Sequence, residues 1–110
     1  MTDVWVLTNP IDMSDQQLIR TDVITGVLHD KEGVFARCAG QEKPVPLVER
    51  STSFDKRDPL PPGFHLAFVQ ALNQARQVAR KDIQVVRATW SIGQQRWEWL
   101  AEDIDLLDQF

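Results

Sequence analysis

The sequence predicts an α+β domain: a mainly antiparallel sheet of about five to six strands with one long helix packed across one face. Three observations predict it. Val85 to Leu100 reads as a hairpin rich in tryptophan, Val23 to Ala39 reads as a second hairpin, and Phe64 to Ala79 reads as a helix with one apolar side. The chain has 110 residues, which suits a single domain spanning 1–110.

Val4-Trp5-Val6-Leu7-Thr8 is a short strand stopped by Asn9-Pro10. Ser14-Asp15-Gln16-Gln17 fits a capping box and predicts one or two helical turns reaching about Ile19. Val23–His29 and Val34–Ala39 pair around Asp30-Lys31-Glu32-Gly33. Asp suits the first position of a type I turn, and Gly33 suits the left-handed bulge residue after it. This places Ile24, Gly26, Leu28, Ala36 and Cys38 on an apolar face. The opposite, mixed face then holds Val23, Thr25, Val27, His29, Phe35, Arg37 and Ala39. Val45–Glu49 is an edge strand, because Pro44 and Pro46 cannot donate to a ladder.

Residues from about 50 to 63 are rich in turn formers and breakers and form the long loop. Pro61 or Pro62 then suits the first turn of a helix, where a missing N–H costs nothing. At 100° per residue, Phe64, Ala67, Phe68, Ala71, Leu72, Ala75, Val78 and Ala79 fill one arc of about 140°. The small alanines let a backbone approach closely, and the tryptophan hairpin supplies large rings to fill the space. In that hairpin Gly93 opens a two-residue type II′ loop. Trp90 then faces Trp97, Ala88 faces Trp99, and Val86, Ala88, Trp90, Ile92, Trp97 and Trp99 share the buried face. Val85, Arg87, Thr89, Ser91, Arg96, Glu98 and Leu100 take the wetter one.

Composition narrows the function classes. A lone cysteine, Cys38, cannot form an internal disulfide and points to a reducing, cytoplasmic setting. The start of the chain lacks the basic and apolar regions of a signal peptide, and no apolar run reaches a membrane-spanning length, so no membrane is expected. Charge is uneven within a net of −4: residues 60–100 net +3, and residues 101–110, the acidic C-terminal tail, net −4. Arg76, Arg80, Lys81, Arg87 and Arg96 resemble a phosphate track, but the tryptophans beside them face the core and the overall charge has the wrong sign. Nucleic acid is therefore disfavoured.

The sequence leans away from an enzyme. His29 and His65 have no patterned acidic or nucleophilic neighbour, and Cys38 sits on an inward face, where it acts as a small hydrophobe. No catalytic residue, metal ligand or cofactor site is assigned, since no Cys/His cluster or phosphate loop is present. The expected function is a small protein-interaction module, self-associating as a homodimer or binding another protein. Candidate contact residues are Leu66 and Val69 on the polar side of the helix, Val23, Val27 and Phe35 on the mixed hairpin face, and Leu107 and Phe110 in the tail. The tail, Glu102 to Phe110, is similar in chemistry to the acidic, phenylalanine-ended tails through which bacterial single-stranded-DNA-binding proteins recruit partners, although it lacks their Pro-Phe ending. The alternative is a small-ligand-binding domain or minor enzyme with a pocket near the 50–63 loop and His65.

Overall fold

The computed structural model describes residues 3–50, 60–77 and 83–104. The fold is α+β, with seven strands and one helix: β1 (Val4–Leu7), β2 (Leu18–Arg20), β3 (Ile24–Asp30), β4 (Gly33–Cys38), β5 (Val45–Glu49), α1 (Phe64–Gln77), β6 (Gln84–Ser91) and β7 (Arg96–Asp103). The strands form two sheets rather than one. The first runs β2-β1-β6-β7 and the second β3-β4-β5. All neighbours are antiparallel except β1 and β6, which pair in parallel through Val4–Val6 and Gln84–Val86. Among the described residues no helix is long and apolar enough to cross a membrane.

The sheets touch just beyond β1. Asn9 donates its N–H to Leu47 O at 2.9 Å and accepts from Glu49 N at 2.9 Å. Its side-chain amide reaches Ala88 O of the other sheet at 3.4 Å. One core then fills the space between both sheets and α1. Val6, Val86, Ala88 and Trp97 come from the first sheet, Val34, Ala36 and Leu47 from the second, and Phe64, Phe68, Leu72 and Ala75 from the helix.

The tryptophan hairpin keeps its predicted register, with Trp90 opposite Trp97 and Ala88 opposite Trp99. The helix lies on it as expected. Trp99 stacks on Phe64 at 4.8 Å and 22°, meets Phe68 at 4.8 Å, and donates its indole N–H to Phe64 O at 2.8 Å. That bond uses a carbonyl of the first helical turn and satisfies the polar edge of a half-buried ring.

Five local expectations change. The loop is four residues long, Ile92 to Gln95. Gln95, not Gly93, takes the left-handed conformation at φ 52°, and Ile92 is 83% exposed. Val85 is fully buried although it lies on the face away from the helix, beside Trp5, whose ring sits 5.8 Å from the Arg20 guanidinium. The Ser14 segment makes only a single 3-10 turn, Met13–Asp15, because Asp12 caps it and Thr8 captures the Gln17 N–H at 2.8 Å. Residues 18–20 are then free to become β2. Both prolines precede the helix, which begins at Phe64 after Gly63 at φ 73°.

The fifth change matters most for function. Asp30 pairs directly with Gly33, Leu28 with Phe35, and Val27 with Ala36. The Asp30 carboxylate accepts from Glu32 N and Gly33 N, tightening the turn to two residues, and Gly33 is not left-handed. The register therefore moves by one position, and a one-residue slip exchanges the faces of a strand. Val27 and His29 join Ala36 and Val34 on the inner side, while Leu28 joins Phe35 and Pro46 on the outer side. A bulge between Ile24 and Gly26 returns Ile24 to the inner side, opposite Cys38. Cys38 is buried there as a free thiol, and burial pushes its pKa up.

Candidate functional site: the seam between β3 and α1

Helix α1 runs antiparallel to β3. Near its start, the His65 ring lies 5.2 Å from His29. Near its end, the Arg76 guanidinium donates to the Thr21 hydroxyl at 3.3 Å, and that hydroxyl donates to Val4 O at 3.0 Å. Between these ends lies an open groove of about 370 Å³. Its strand side is Ile24, Thr25, Gly26 and Val27. These four span the bulge between Ile24 and Gly26, which puts both Ile24 and Val27 on the inner side, toward α1. β3 is the outer strand of its sheet, with β4 on one side and no strand on the other among the described residues.

The helix side carries Leu66, Val69 and Leu72. Leu72 is buried and reaches the core, whereas Val69 is 52% and Leu66 61% exposed. Neither Leu18 nor Ile19 covers them. Ile19 is buried against Val6 across the β1–β2 pair, and Leu18 is itself exposed. On the outer side of the same edge, Leu28, Phe35 and Pro46 form an apolar row across three strands. Apolar side chains thus flank the β3 edge on both faces.

The electrostatics of the seam are one-sided. Arg76 is its fixed charge, and no carboxylate lines it among the described residues. Asp22, close in sequence, is held by Arg20 at 3.3 Å. At the far end the His29 pKa is lowered, first by burial and then by the charge of His65, with Asp30 opposing. The two histidines are neighbours, a pairing that 35 intervening residues hide in the sequence. The Nδ1 of His65 is buried with no hydrogen-bond partner among the described residues.

Of the residues expected to bind a partner, the structure brings Val27, Leu66 and Val69 together in the groove. Val23 sits in the 3-10 turn just before β3 and is exposed. Phe35 belongs to the outer row instead. Leu107 and Phe110, with residues 51–59 of the long loop, lie outside the described residues. The shifted register is what separates Val27 and Phe35, which the sequence pattern puts on one face. A period-2 pattern fixes which residues share a face within a strand, but it does not fix how two strands align across a tight turn.

A second groove, of about 480 Å³, lies on the other flank of the helix, between Ala67, Ala71 and the rings of Trp97 and Trp99. Gln70, Gln74, Arg96 and Glu98 form its polar rim. No group of three or more metal-ligating side chains occurs among the described residues. Comparisons of the chain with models of known families, with characterised proteins and with solved structures found no match.

Proposed function

We propose that this protein is a small protein-interaction module whose contact surface is the seam between β3 and α1. One observation carries the reading: a strand edge with no partner among the described residues is flanked on both faces by exposed apolar side chains, Leu66 and Val69 on one side and Leu28 on the other. Single exposed hydrophobes are ordinary, but apolar residues gathered around open backbone donors and acceptors mark an interaction surface. A homodimer fits the same surface, because two edges related by a two-fold axis pair antiparallel and bring their helices to one side of the joined sheet.

The test compares the chain with a Leu66→Glu/Val69→Glu double variant. Both positions are exposed, so folding is expected to survive. Mass by light scattering and the set of proteins retained by the immobilised chain are measured for each. The intact chain is expected to self-associate or to retain at least one protein that the variant loses. A monomeric chain with a retention profile identical to that of the variant overturns the proposal.

A further inference from the structure

We infer that the seam binds the C-terminal end of an extended peptide, laid antiparallel to β3 with its terminal carboxylate beside Arg76. This rests on the reading of the seam as the contact surface and adds what occupies it. The first argument is the state of the sheet edges. Natural sheets blunt exposed edges with short strands, charges, prolines, bulges or a covering segment. β2 has three residues and carries Arg20. β7 carries Arg96, Glu98, Glu102 and Asp103. β5 contains Pro46, and Asn9 bonds to its backbone. β3 is different. Its seven residues, Ile24 to Asp30, include no proline, lysine or arginine; its one acid, Asp30, is turned to the hairpin turn, and past the bulge between Ile24 and Gly26 the edge from Val27 to Asp30 is regular. An added strand would find backbone partners there and apolar walls on both sides.

Direction and chain end follow from the two ends of the groove. At the Arg76 end, the chain turns through the 3-10 segment Thr21–Val23, with Thr21 buried. Thr21 lines that end of the groove, and an end of the added strand is placed against it. An antiparallel strand places its C-terminus at that end. Arg76 supplies a cation that no described carboxylate neutralises, and the Thr21 hydroxyl stands beside it. A terminal carboxylate matches this end in charge and geometry, because guanidinium accepts a carboxylate in a planar fork. A parallel strand would instead bring its ammonium group to the arginine, which like charge disfavours. Apolar side chains at alternate positions of the peptide would then face Val69 and Leu72.

The experiment uses the full chain, isotope-labelled, and three synthetic hexapeptides with valine at alternate positions. One has a free carboxyl end, one is amidated there, and one has a free carboxyl end and methylated alternate backbone nitrogens. The free-acid peptide is expected to shift amide resonances of Ile24–Asp30 and of the helix from Leu66 to Arg76. Amidation is expected to weaken binding by about tenfold, and backbone methylation to abolish it. Arg76→Gln, at an exposed position, is expected to remove the difference between free acid and amide. If the amide binds as tightly as the acid at these same resonances, the carboxylate assignment is overturned while the contact surface stands. If no peptide moves these resonances at millimolar concentration, the strand-addition inference falls. The Leu66→Glu/Val69→Glu comparison then decides separately whether the seam binds anything.

Discussion

Gly33 shows how one missing side chain sets the spacing of two strands. A β-carbon built there would lie 2.0 Å from the carbonyl oxygen of Val48, far inside contact distance. The backbone of β5 approaches that closely because Gly33 pairs with Glu49 and the Arg50 N–H donates to Glu32 O at 2.9 Å. Gly33→Ala should therefore push β5 away from the turn and cost on the order of 1–3 kcal/mol. Gly93→Ala is the control, since nothing lies within 4 Å of its built β-carbon and its φ is not positive. Urea midpoints for both variants check the argument, and a Gly33→Ala midpoint equal to that of Gly93→Ala would contradict it. The sequence made Gly33 conspicuous, but as a residue needing a left-handed backbone. Its actual role is room for a neighbouring strand, which only the tertiary pairing reveals. Gln95 is the converse case, a residue without glycine's freedom that takes the left-handed position.

Among elements, the helix was the most legible and the second hairpin the least. The helix pattern repeats over four turns, so each apolar position corroborates the others. The residues it placed inward, Phe64, Phe68, Leu72 and Ala75, are buried, and Ala67 and Ala71 are half-buried. Ala75 is 1% exposed in this packing. Ala75→Leu adds three carbons at a buried position and should cost on the order of 1–3 kcal/mol. A denaturation midpoint unchanged from the parent would exclude the close approach of helix to sheet. The second hairpin misled because both of its faces contain apolar residues, so alternation alone did not favour either register. The candidate site inherited that ambiguity: Leu66 and Val69 were visible as outliers on a well-defined helix, whereas their strand-side neighbours depended on the pairing. β2 was hidden for a related reason. Three residues are too few to show a period, and Leu18–Arg20 becomes a strand only because β1 is there to pair with.

At the scale of the whole molecule, the His29–His65 contact joins the second sheet to the helix, so their charge states bear on the union of both halves. Burial and the neighbouring histidine lower the His29 pKa in the folded protein relative to its ordinary value of 6.5. The unfolded chain therefore binds protons more readily as pH falls below about 6.5, and stability must decline with it. Further down, Asp12 is held below its ordinary 3.8 by the hydroxyl and then the N–H of Ser14, and its contribution is lost in stronger acid. Urea midpoints measured from pH 8 to pH 5 should fall toward the acid side, and His29→Asn should flatten that slope. A His29→Asn profile parallel to that of the parent would assign the decline to other groups. That Val4–Leu7 is a strand was readable from the sequence. That it lies parallel to β6 was not, because nothing local specifies a partner some eighty residues away.

That parallel pair has a consequence for biosynthesis. β1 is made before the other strands described, yet its partner on one side, Gln84–Val86, is made some eighty residues later. Residues 24–49 can close their three-stranded meander as soon as they appear, since each strand pairs with the next. Until then the first strand has only β2 to pair with, and its other edge stays open. Closing so long a loop is slow, and contacts of this separation dominate the folding time of small domains. A nascent chain stalled before residue 84 should therefore hold a formed meander beside a β1–β2 pair whose other edge is open. That is the stage at which this protein is most open to aggregation and to chaperones.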